Sequence, residues 1–519
     1  MKFLFILCFG FLNCFSADFS LKAAEKIILK FEGMSIPVSI DKLSEIGSTS
    51  DNSTEVSDWF RNNGLEKIFQ LSKYLEFSVF KQNGFTQQIL RSWIGKKVLS
   101  EISRSIIIVP NDINGVHVFN TIESLLEKNQ EVSTLDILKN ISIEVIKLDV
   151  DNLINIISSW KIALEEEQKL SQNLSRLKKF NRNGNFNLSN EKYSKILPQE
   201  VSLNVLHRDQ PLLVESWIPK STQGKDLIIF MPGLGGDISN FRWLGSGLSK
   251  RGWPVVIIGH KGSDASSLNA FIKGEEALPG GADIFLHRIK DLDAVINSHK
   301  QGLFGVKSKT YILMGHSLGS LISMLYEGNP PEKEFEARCD KELANLAITN
   351  LSKFLQCQLL EIPLPESIKS SDLKAIVGFN SFGSLIWPTE KSLGIDVPVL
   401  FIGGTFDLIT PLLNEQSKVF FAIKSNKLNR FLIIEGASHF SPVRVDNKFL
   451  NKNVNSDVFN IKNNFVGINP YDFQNLSLEI IIKFLIDLDQ KRGINTKDIK
   501  NIENLNFHIM NKKDLKNLL

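Results

Sequence analysis

The chain of 519 residues divides into two parts that differ in the spacing of their hydrophobic positions. From about residue 21 to residue 165, apolar side chains recur every three or four positions, which is the spacing of helices with one buried face. The pattern predicts helices at residues 59–80, 86–102, 118–129 and 151–167. We therefore expect a small all-α domain over residues 24–165.

A polar segment rich in asparagine follows, and we interpret residues 166–198 as a linker. Beyond it, Val201, Leu203 and Val205 alternate with polar residues, and an apolar run returns after a polar turn, which predicts a β-hairpin. Further apolar runs then alternate with helical stretches, at residues 227–231, 255–258, 311–314, 375–379, 397–402 and 431–434. Strands that are apolar at every position are typical of a parallel sheet with helices on both faces.

The predicted fold class is therefore α/β, with a mostly parallel sheet over residues 199–490 and a last amphipathic helix at residues 476–488. Residues 491–519 are predicted to be a polar tail, in which the stretch 505–510 is apolar enough to dock on the body.

The beginning of the chain has the pattern of a targeting signal. Lys2 precedes about thirteen mostly apolar positions, a run that is short for a membrane span and typical of a signal-peptide core. We expect a signal peptide over about residues 1–23, with Ala17, Ala23 and Ala24 as candidate cleavage positions, and export to a periplasm, to a thylakoid lumen or out of the cell. No other stretch is long and apolar enough to predict a transmembrane span.

Charge and cysteine content narrow the classes of function. The formal net charge is only +3 and neither half carries a strong basic block, so nucleic-acid binding is not expected. Outside the presumed signal the cysteines are Cys339 and Cys357, which in an oxidising compartment are candidates for a disulfide, with two free buried thiols as the alternative. No metal-ligand spacing is present, and we expect neither a metal nor a cofactor.

One pentapeptide carries the strongest chemical signal. Gly315-His316-Ser317-Leu318-Gly319 directly follows the apolar run at residues 310–314, and a helical stretch follows it. This context predicts a nucleophile elbow, a sharp strand-to-helix turn with Ser317 at its apex. We expect the side chain of His316 to point away from the nucleophile and to support packing.

Partners for the serine occur downstream in the expected order. A serine hydroxyl needs a base to take its proton, and a histidine oriented by a carboxylate is the usual solution. Asp407 and His439 each follow a predicted strand, so both are expected at the sheet edge where the elbow lies. Ser317, Asp407 and His439 are thus the predicted catalytic residues.

An oxyanion formed on the substrate would need two backbone donors. We predict the N–H of Leu318 as one donor and that of Leu234, in the glycine-rich loop at residues 232–236, as the other. Gly235 is the alternative second donor and is also a candidate substrate-binding residue. His260 also follows a predicted strand and is a candidate substrate-binding residue. An insertion at residues 328–373, with a helical stretch at 341–360, is expected to form a lid whose apolar face lines an acyl pocket or packs on the core.

These residues resemble the platelet-activating factor acetylhydrolase and dienelactone hydrolase-like branch of the α/β-hydrolases. The matching stretches are residues 232–236, 315–319, 403–411 and 436–439, and the resemblance covers about residues 201–489. The N-terminal part resembles a helical domain of unknown function found in exported cyanobacterial members of that group. The resemblance implies serine-dependent cleavage of carboxylic esters, including esters of short or oxidised acyl chains on lipids. The dienelactone enzymes use a cysteine nucleophile, so Ser317 argues against that particular activity.

The leading hypothesis is an exported serine ester hydrolase acting on a small-molecule or lipid ester. An acyltransferase or a peptidase would use the same residues. The three activities differ in whether water, an alcohol or an amide competes at the acyl-enzyme. A protein of another class is the second alternative: a binding protein that docks a partner or a membrane surface through its N-terminal domain.

Overall fold

A computed structural model describes the chain at residues 26–40, 78–81, 99–103, 107–108, 116–141, 146–177, 196–222, 224–267, 282–345, 349–364, 369–407, 409–443, 468–490 and 505–519. The chain divides into two compact units, of which the first comprises residues 1–90 and 95–155 and the second residues 91–94 and 156–519.

The first unit contains strands as well as helices. Its strands are β1 (Lys26–Phe31), β2 (Met34–Ser39), β3 (Ser78–Lys81), β4 (Ile107–Ile108), β5 (Glu131–Ser133) and β6 (Ile146–Asp149). The order β2-β1-β6-β4 forms one sheet, and β3 pairs with β5 in another. Its helices include α1 (Val116–Lys128), α2 (Thr134–Asn140) and the start of α3 (Val150–Arg176), and residues 99–103 are helical as well. The prediction of an all-α domain is therefore wrong.

The physical reason for this error lies in β1. Ile27, Leu29 and Phe31 are buried and alternate along the strand, but the apolar Ile28 between them hides the two-residue period. The next two residues, Glu32 and Gly33, have φ values of 49° and 77° and turn the chain directly into β2. A two-residue turn with positive φ at both positions matches the twist of a hairpin, and glycine suits it.

Two of the predicted N-terminal helices are confirmed. Residues 118–129 correspond to α1, and residues 151–167 lie within α3. The predicted helices at 59–80 and 86–102 fall largely outside the described residues; of their described ends, residues 78–80 belong to β3 and residues 99–102 are helical.

The second unit is built on a nine-stranded sheet. Its strands are β7 (Gln199–Leu203), β8 (Leu212–Trp217), β9 (Leu227–Met231), β10 (Val255–Ile258), β11 (Tyr311–His316), β12 (Leu373–Phe379), β13 (Val399–Gly404), β14 (Arg430–Ile434) and β15 (Phe507–Met510). Their order is β15-β14-β13-β12-β11-β9-β10-β8-β7. From β10 to β14 all neighbours run parallel, whereas β7, β8 and β15 add antiparallel pairs at the two edges.

This sheet confirms the predicted fold class, that of the α/β-hydrolases. The predicted hairpin forms β7 and β8, with Val201 opposite Val214. Each of the six apolar runs forms a strand, and all five residues of β9 are fully buried. Burial on both faces explains why these strands do not alternate in hydrophobicity.

Helices cover this sheet and position the loops at its strand ends. In chain order they are α4 (Arg242–Ser249), α5 (Asp283–Lys300), α6 (Leu318–Glu327), α7 (Phe335–Ala344), α8 (Ser352–Cys357), α9 (Ser417–Ala422), α10 (Pro470–Gln490) and α11 (Lys512–Leu518). Apolar residues of α4 and α10 share one buried cluster with β9, β10 and β11. Within the described residues, no helix is long and apolar enough to cross a bilayer.

The insertion between α6 and β12 differs in detail from its prediction. The helical stretch expected at residues 341–360 is interrupted, because α7 ends at Ala344 and α8 begins only at Ser352. Asn350, in the interruption, donates its side-chain N–H to the buried carboxylate of Glu415, 2.8 Å away. Cys339 of α7 and Cys357 of α8 form a disulfide that joins the two helices.

The C-terminal residues complete the sheet. The stretch predicted to dock, residues 505–510, contains β15, which pairs antiparallel with β14, and α11 follows it. The Nε2 atom of His508 lies 2.7 Å from Oε1 of Glu435. The described end of the expected polar tail is therefore an edge strand and a helix of the second unit.

Candidate active site

The turn between β11 and α6 has the strained geometry expected of a nucleophile elbow. Ser317 has a backbone φ of 51°, a value that residues other than glycine rarely adopt. A β-carbon at Gly315 would lie 2.3 Å from the carbonyl carbon of Gly319, and one at Gly319 would lie 2.0 Å from the carbonyl oxygen of Met231. Both glycines are required by close packing, and the N–H of Ser317 donates to the carbonyl of Phe379, at 2.8 Å.

Three residues that are far apart in sequence meet at this turn. The Oγ atom of Ser317 lies 2.9 Å from Nε2 of His439. The other ring nitrogen, Nδ1, lies 3.0 Å from Oδ2 and 3.2 Å from Oδ1 of Asp407. All three side chains are buried, with 3–6% of each residue exposed. The structure thus brings together Ser317, His439 and Asp407 in the order of contact that sequence reasoning predicts.

Several groups besides His439 hold the Asp407 carboxylate in place. It accepts hydrogen bonds from the N–H groups of Ile409 and Thr410, the Thr410 hydroxyl and the side-chain amides of Asn380 and Gln416. Burial alone would raise the pKa of Asp407, but the charge of His439 and these donors together lower it below its usual value. The carboxylate therefore stays ionised beside His439.

Sequence reasoning missed the side chains that hold Asp407. The contact with Thr410 had a local signal, because the side chain of an Asp can close a turn by accepting a hydrogen bond from the N–H three residues later. Asn380, directly after β12, and Gln416, nine residues after Asp407, had none. Their positions become meaningful only when β12 and β13 are paired in the sheet.

Two backbone N–H groups beside Ser317 have no partner among the residues that the structure describes. They belong to Leu318, the first residue of α6, and to Leu234, in the loop after β9. This loop lies against the serine, since a β-carbon at Gly233 would be 3.2 Å from Cβ of Ser317. The N–H of Gly235 is already donated to the carbonyl of Ser263, at 2.9 Å, so Gly235 does not serve as the fallback donor.

His316 does more than support packing. Its Nε2 atom donates to the backbone carbonyl of His439, 2.9 Å away, and its ring lies 5.0 Å from the His439 ring. Burial, and next the charge of His439, lower the pKa of His316 to about 3. The ring is therefore neutral, with its single proton on the nitrogen that faces the carbonyl.

The structure does not support His260 as a substrate-binding residue. It is fully buried, and its Nδ1 atom donates to Oδ2 of Asp291 at 2.7 Å. Asp291 also accepts from His207 and Arg208. Burial, followed by the charge of Arg288, lowers the pKa of His260 to about 4. We interpret His260 as a neutral member of a buried hydrogen-bond cluster.

The chemical capacity of the site follows from these contacts. A serine hydroxyl within hydrogen-bond reach of an imidazole, which is itself oriented by a carboxylate, can become a nucleophile at neutral pH. No cluster of potential metal ligands occurs in the described parts of the chain.

The fold and this arrangement define the class: the second unit is an α/β-hydrolase domain. Residues 23–149 match the model of a family described as alpha/beta hydrolase of unknown function (DUF1400). The match covers less than half of the chain and ends before β7, the first strand of the nine-stranded sheet. No curated protein matches the chain. The family description names no substrate, so the resemblance to the platelet-activating factor acetylhydrolase group stays a prediction.

Proposed function

We propose that this protein is a serine hydrolase that cleaves carboxylic esters through a Ser317–His439–Asp407 triad. The observation that carries the proposal is the continuous pair of contacts from Ser317 Oγ to His439 Nε2 and from His439 Nδ1 to Asp407. The elbow geometry supports it, because a strained turn projects the serine at the end of the sheet.

In the first half of the reaction Ser317 Oγ attacks the acyl carbonyl carbon while its proton moves to His439 Nε2. Asp407 stabilises the imidazolium by its charge and by accepting from Nδ1. Collapse of the tetrahedral intermediate breaks the ester C–O bond, and His439 returns the proton to the leaving alkoxide. An acyl-enzyme on Ser317 remains. Water then attacks this acyl group while one of its protons moves to His439 Nε2. Collapse of the second tetrahedral intermediate breaks the bond to Ser317 Oγ, which takes the proton back from His439 as the carboxylic acid is released.

The unpartnered N–H groups of Leu234 and Leu318 support an oxyanion hole. The carbonyl oxygen gains negative charge in each tetrahedral intermediate, and donors fixed in advance stabilise that charge without reorganisation. Both donors lie close to the nucleophile in the chain or in space: Leu318 directly follows Ser317, and Leu234 follows Gly233, where a β-carbon would be 3.2 Å from Cβ of Ser317. A single donor of this kind is typically worth about 100-fold to 1,000-fold in kcat.

An apolar acyl chain is the substrate feature that the surroundings favour. Phe406, next to Asp407, is 49% exposed, and Leu351 and Leu360 of the insertion are each 43% exposed. The N–H of Ser352 donates to the carbonyl of Ile409, so the insertion reaches the segment that follows Asp407. We therefore propose lipid-like esters as the substrate class.

A fluorophosphonate probe tests the proposed activity directly. We expect the purified protein to be labelled on Ser317, and Ser317→Ala to lose both labelling and ester hydrolysis with an unchanged circular-dichroism spectrum. Ser323→Ala is a matched control that keeps both, because Ser323 lies in α6, the helix after the elbow, and its hydroxyl donates to the carbonyl of Gly319. A folded wild-type protein that neither labels nor hydrolyses p-nitrophenyl esters of any chain length would refute the proposal.

We also propose that the protein is exported. The apolar segment after Lys2 supports this, as does the disulfide between Cys339 and Cys357, because disulfides persist mainly in oxidising compartments. The mass of the protein recovered from cell fractions is the test. We expect loss of about the first 23 residues in the exported fraction, whereas full-length chain with free thiols in the cytosol would contradict it.

A further inference from the structure

Arg288 of α5 is fully buried and binds the loop that carries Leu234. Its Nη1 atom donates to the carbonyl of Pro232 at 2.6 Å, and Nη2 donates to the carbonyl of Gly233 at 2.9 Å. The same guanidinium also donates to Ser263, from Nε to the hydroxyl at 2.9 Å and from Nη2 to the carbonyl at 3.2 Å. All of these are contacts inside the second unit.

The contact with Gly233 fixes the direction of a catalytic donor. The carbonyl of Gly233 and the N–H of Leu234 belong to one planar peptide group, and no cis peptide bond occurs among the described residues. In a trans peptide the C=O and N–H bonds point in opposite directions. Because Arg288 holds the carbonyl on one side, the Leu234 N–H must point to the other side, away from the guanidinium.

Two further hydrogen bonds close the loop around this peptide. Gly235 N–H donates to the carbonyl of Ser263, and Gly236 N–H donates to the carbonyl of Gly233. Arg288 therefore binds both of the carbonyls that also accept these two N–H groups.

The charge of Arg288 has an effect of its own. Burial lowers its pKa to about 9, so it remains a cation at neutral pH, with Asp291 as the nearby counter-charge. A cation bound to a carbonyl polarises the whole peptide, and polarised hydrogen-bond chains strengthen one another in a low-dielectric interior. The N–H at the other end of the Gly233–Leu234 peptide becomes a stronger donor. Burying the charge of Arg288 costs free energy, and a neutral hydrogen-bond donor would be enough to hold the loop closed.

We propose that Arg288 is a positioning residue of the oxyanion hole, which orients and polarises the Leu234 N–H by binding the carbonyl of Gly233. The proposal rests on the proposed esterase function.

The test compares Arg288→Lys and Arg288→Met with wild type in kcat, KM and affinity for a trifluoromethyl ketone. The Ser317 Oγ atom adds to the carbonyl carbon of such a ketone, its proton moves to His439, and a hemiketal oxyanion forms, so the affinity for the ketone reports on the oxyanion hole. We expect kcat to fall about 10-fold to 100-fold, KM to change less than about 2-fold and ketone affinity to fall by the same factor as kcat. The matching secondary alcohol, which forms no oxyanion, should bind all variants equally.

Arg208→Met is the matched control. Arg208 is a second arginine of the buried cluster, bonded to Asp291 and to the carbonyl of Lys261 but not to residues 232–236. It should lower the unfolding temperature while kcat and ketone affinity stay at the wild-type values. A loss that was merely structural would instead follow unfolding temperature across all variants.

Each outcome decides between the proposals. Arg288→Lys that folds and keeps wild-type kcat and ketone affinity overturns the role of Arg288 and leaves the esterase intact. If neither Arg288 variant folds, Ser263→Ala decides. It removes the acceptor of Nε, together with one hydrogen bond from the Ser263 hydroxyl to the carbonyl of His260; a few-fold loss of kcat and ketone affinity supports the role, and no loss overturns it. A wild-type protein without labelling or hydrolysis overturns both proposals.

Discussion

The imidazole of His316, the residue directly before Ser317, donates a hydrogen bond from Nε2 to the backbone carbonyl of His439 at 2.9 Å. The side chain beside the proposed nucleophile thus holds the main chain of the proposed base. The two rings lie with their centroids 5.0 Å apart. One contact therefore links the loop after β14, which carries His439, to the elbow after β11, which carries Ser317.

Removing this contact should slow the chemical step. His316→Ala frees the carbonyl of His439, and we expect kcat to fall about 10-fold or more, since misplacement of a catalytic group by about 1 Å can cost 100-fold. His316→Gln places an amide N–H near the same carbonyl and should recover most of the loss. Steady-state hydrolysis of a p-nitrophenyl ester measures both variants. Equal kcat for His316→Ala and wild type would show that the contact is not needed.

Glu167 should act on Asp407 through the segment between them. Its carboxylate accepts from the N–H groups of Leu413 and Asn414, each at 2.9 Å, at the start of the π-helical turn Leu412–Gln416. Gln416, at the end of that turn, donates to Asp407 at 3.2 Å.

We expect Glu167→Ala to lower the free energy of unfolding by about 1 kcal/mol, the usual value of a capping side chain, and to lower kcat a few-fold. Glu167→Gln, which keeps an acceptor oxygen, should lie between Glu167→Ala and wild type. Glu166→Ala, the exposed neighbour on the same helix, is the control and should change neither quantity. Urea unfolding and ester kinetics measure them; identical results for Glu166→Ala and Glu167→Ala would contradict the prediction.

The sequence predicted those parts of the molecule whose signals are local. The strand–elbow–helix at Ser317 is such a signal, because it needs glycine at both Gly315 and Gly319, where a β-carbon would lie only 2.3 Å and 2.0 Å from neighbouring backbone atoms. Asp407 and His439 were predicted because each follows a strand, the place where α/β-hydrolases carry their catalytic side chains. The contact of Asn380 with Asp407 depends on the pairing of β12 with β13, and the contacts of Arg288 depend on the packing of α5. Neither leaves a local pattern in the sequence from which it could be predicted.

Asn380 should contribute to catalysis through the Asp407 carboxylate. Its amide donates to Oδ2 of Asp407 at 2.7 Å, and its φ of 49° is one that asparagine tolerates better than most residues. Asn380→Gly removes the amide without adding backbone strain, because glycine adopts positive φ freely. We expect kcat to fall about 10-fold while the unfolding temperature changes little.

Asn380→Ala gives the complementary measurement. It removes the same hydrogen bond but adds strain at positive φ, so its unfolding temperature should be the lower of the two while kcat is the same. If kcat instead follows unfolding temperature, the amide acts on stability and not on the carboxylate.

The buried imidazole of His260 should make the protein less stable in mild acid. Burial, and then the charge of Arg288, lowers its pKa from 6.5 to about 4, against the opposing effect of Asp291. Between these two values the unfolded chain binds a proton that the folded chain does not. Stability from this group is therefore complete above pH 6.5 and is lost as the pH falls towards 4, by about 2 kcal/mol between pH 7 and pH 5.

His260→Asn separates this effect from the other groups that titrate. Asparagine can still donate to Asp291 from its amide nitrogen but takes up no proton, and His316 titrates alike in both proteins. Urea unfolding at pH 7 and pH 5 should show a drop in stability that is smaller in His260→Asn than in wild type by about 2 kcal/mol. Parallel pH dependence in the two proteins would mean that His260 is protonated in the fold, in which case its second ring nitrogen, which has no hydrogen-bond partner among the described residues, would have to find one.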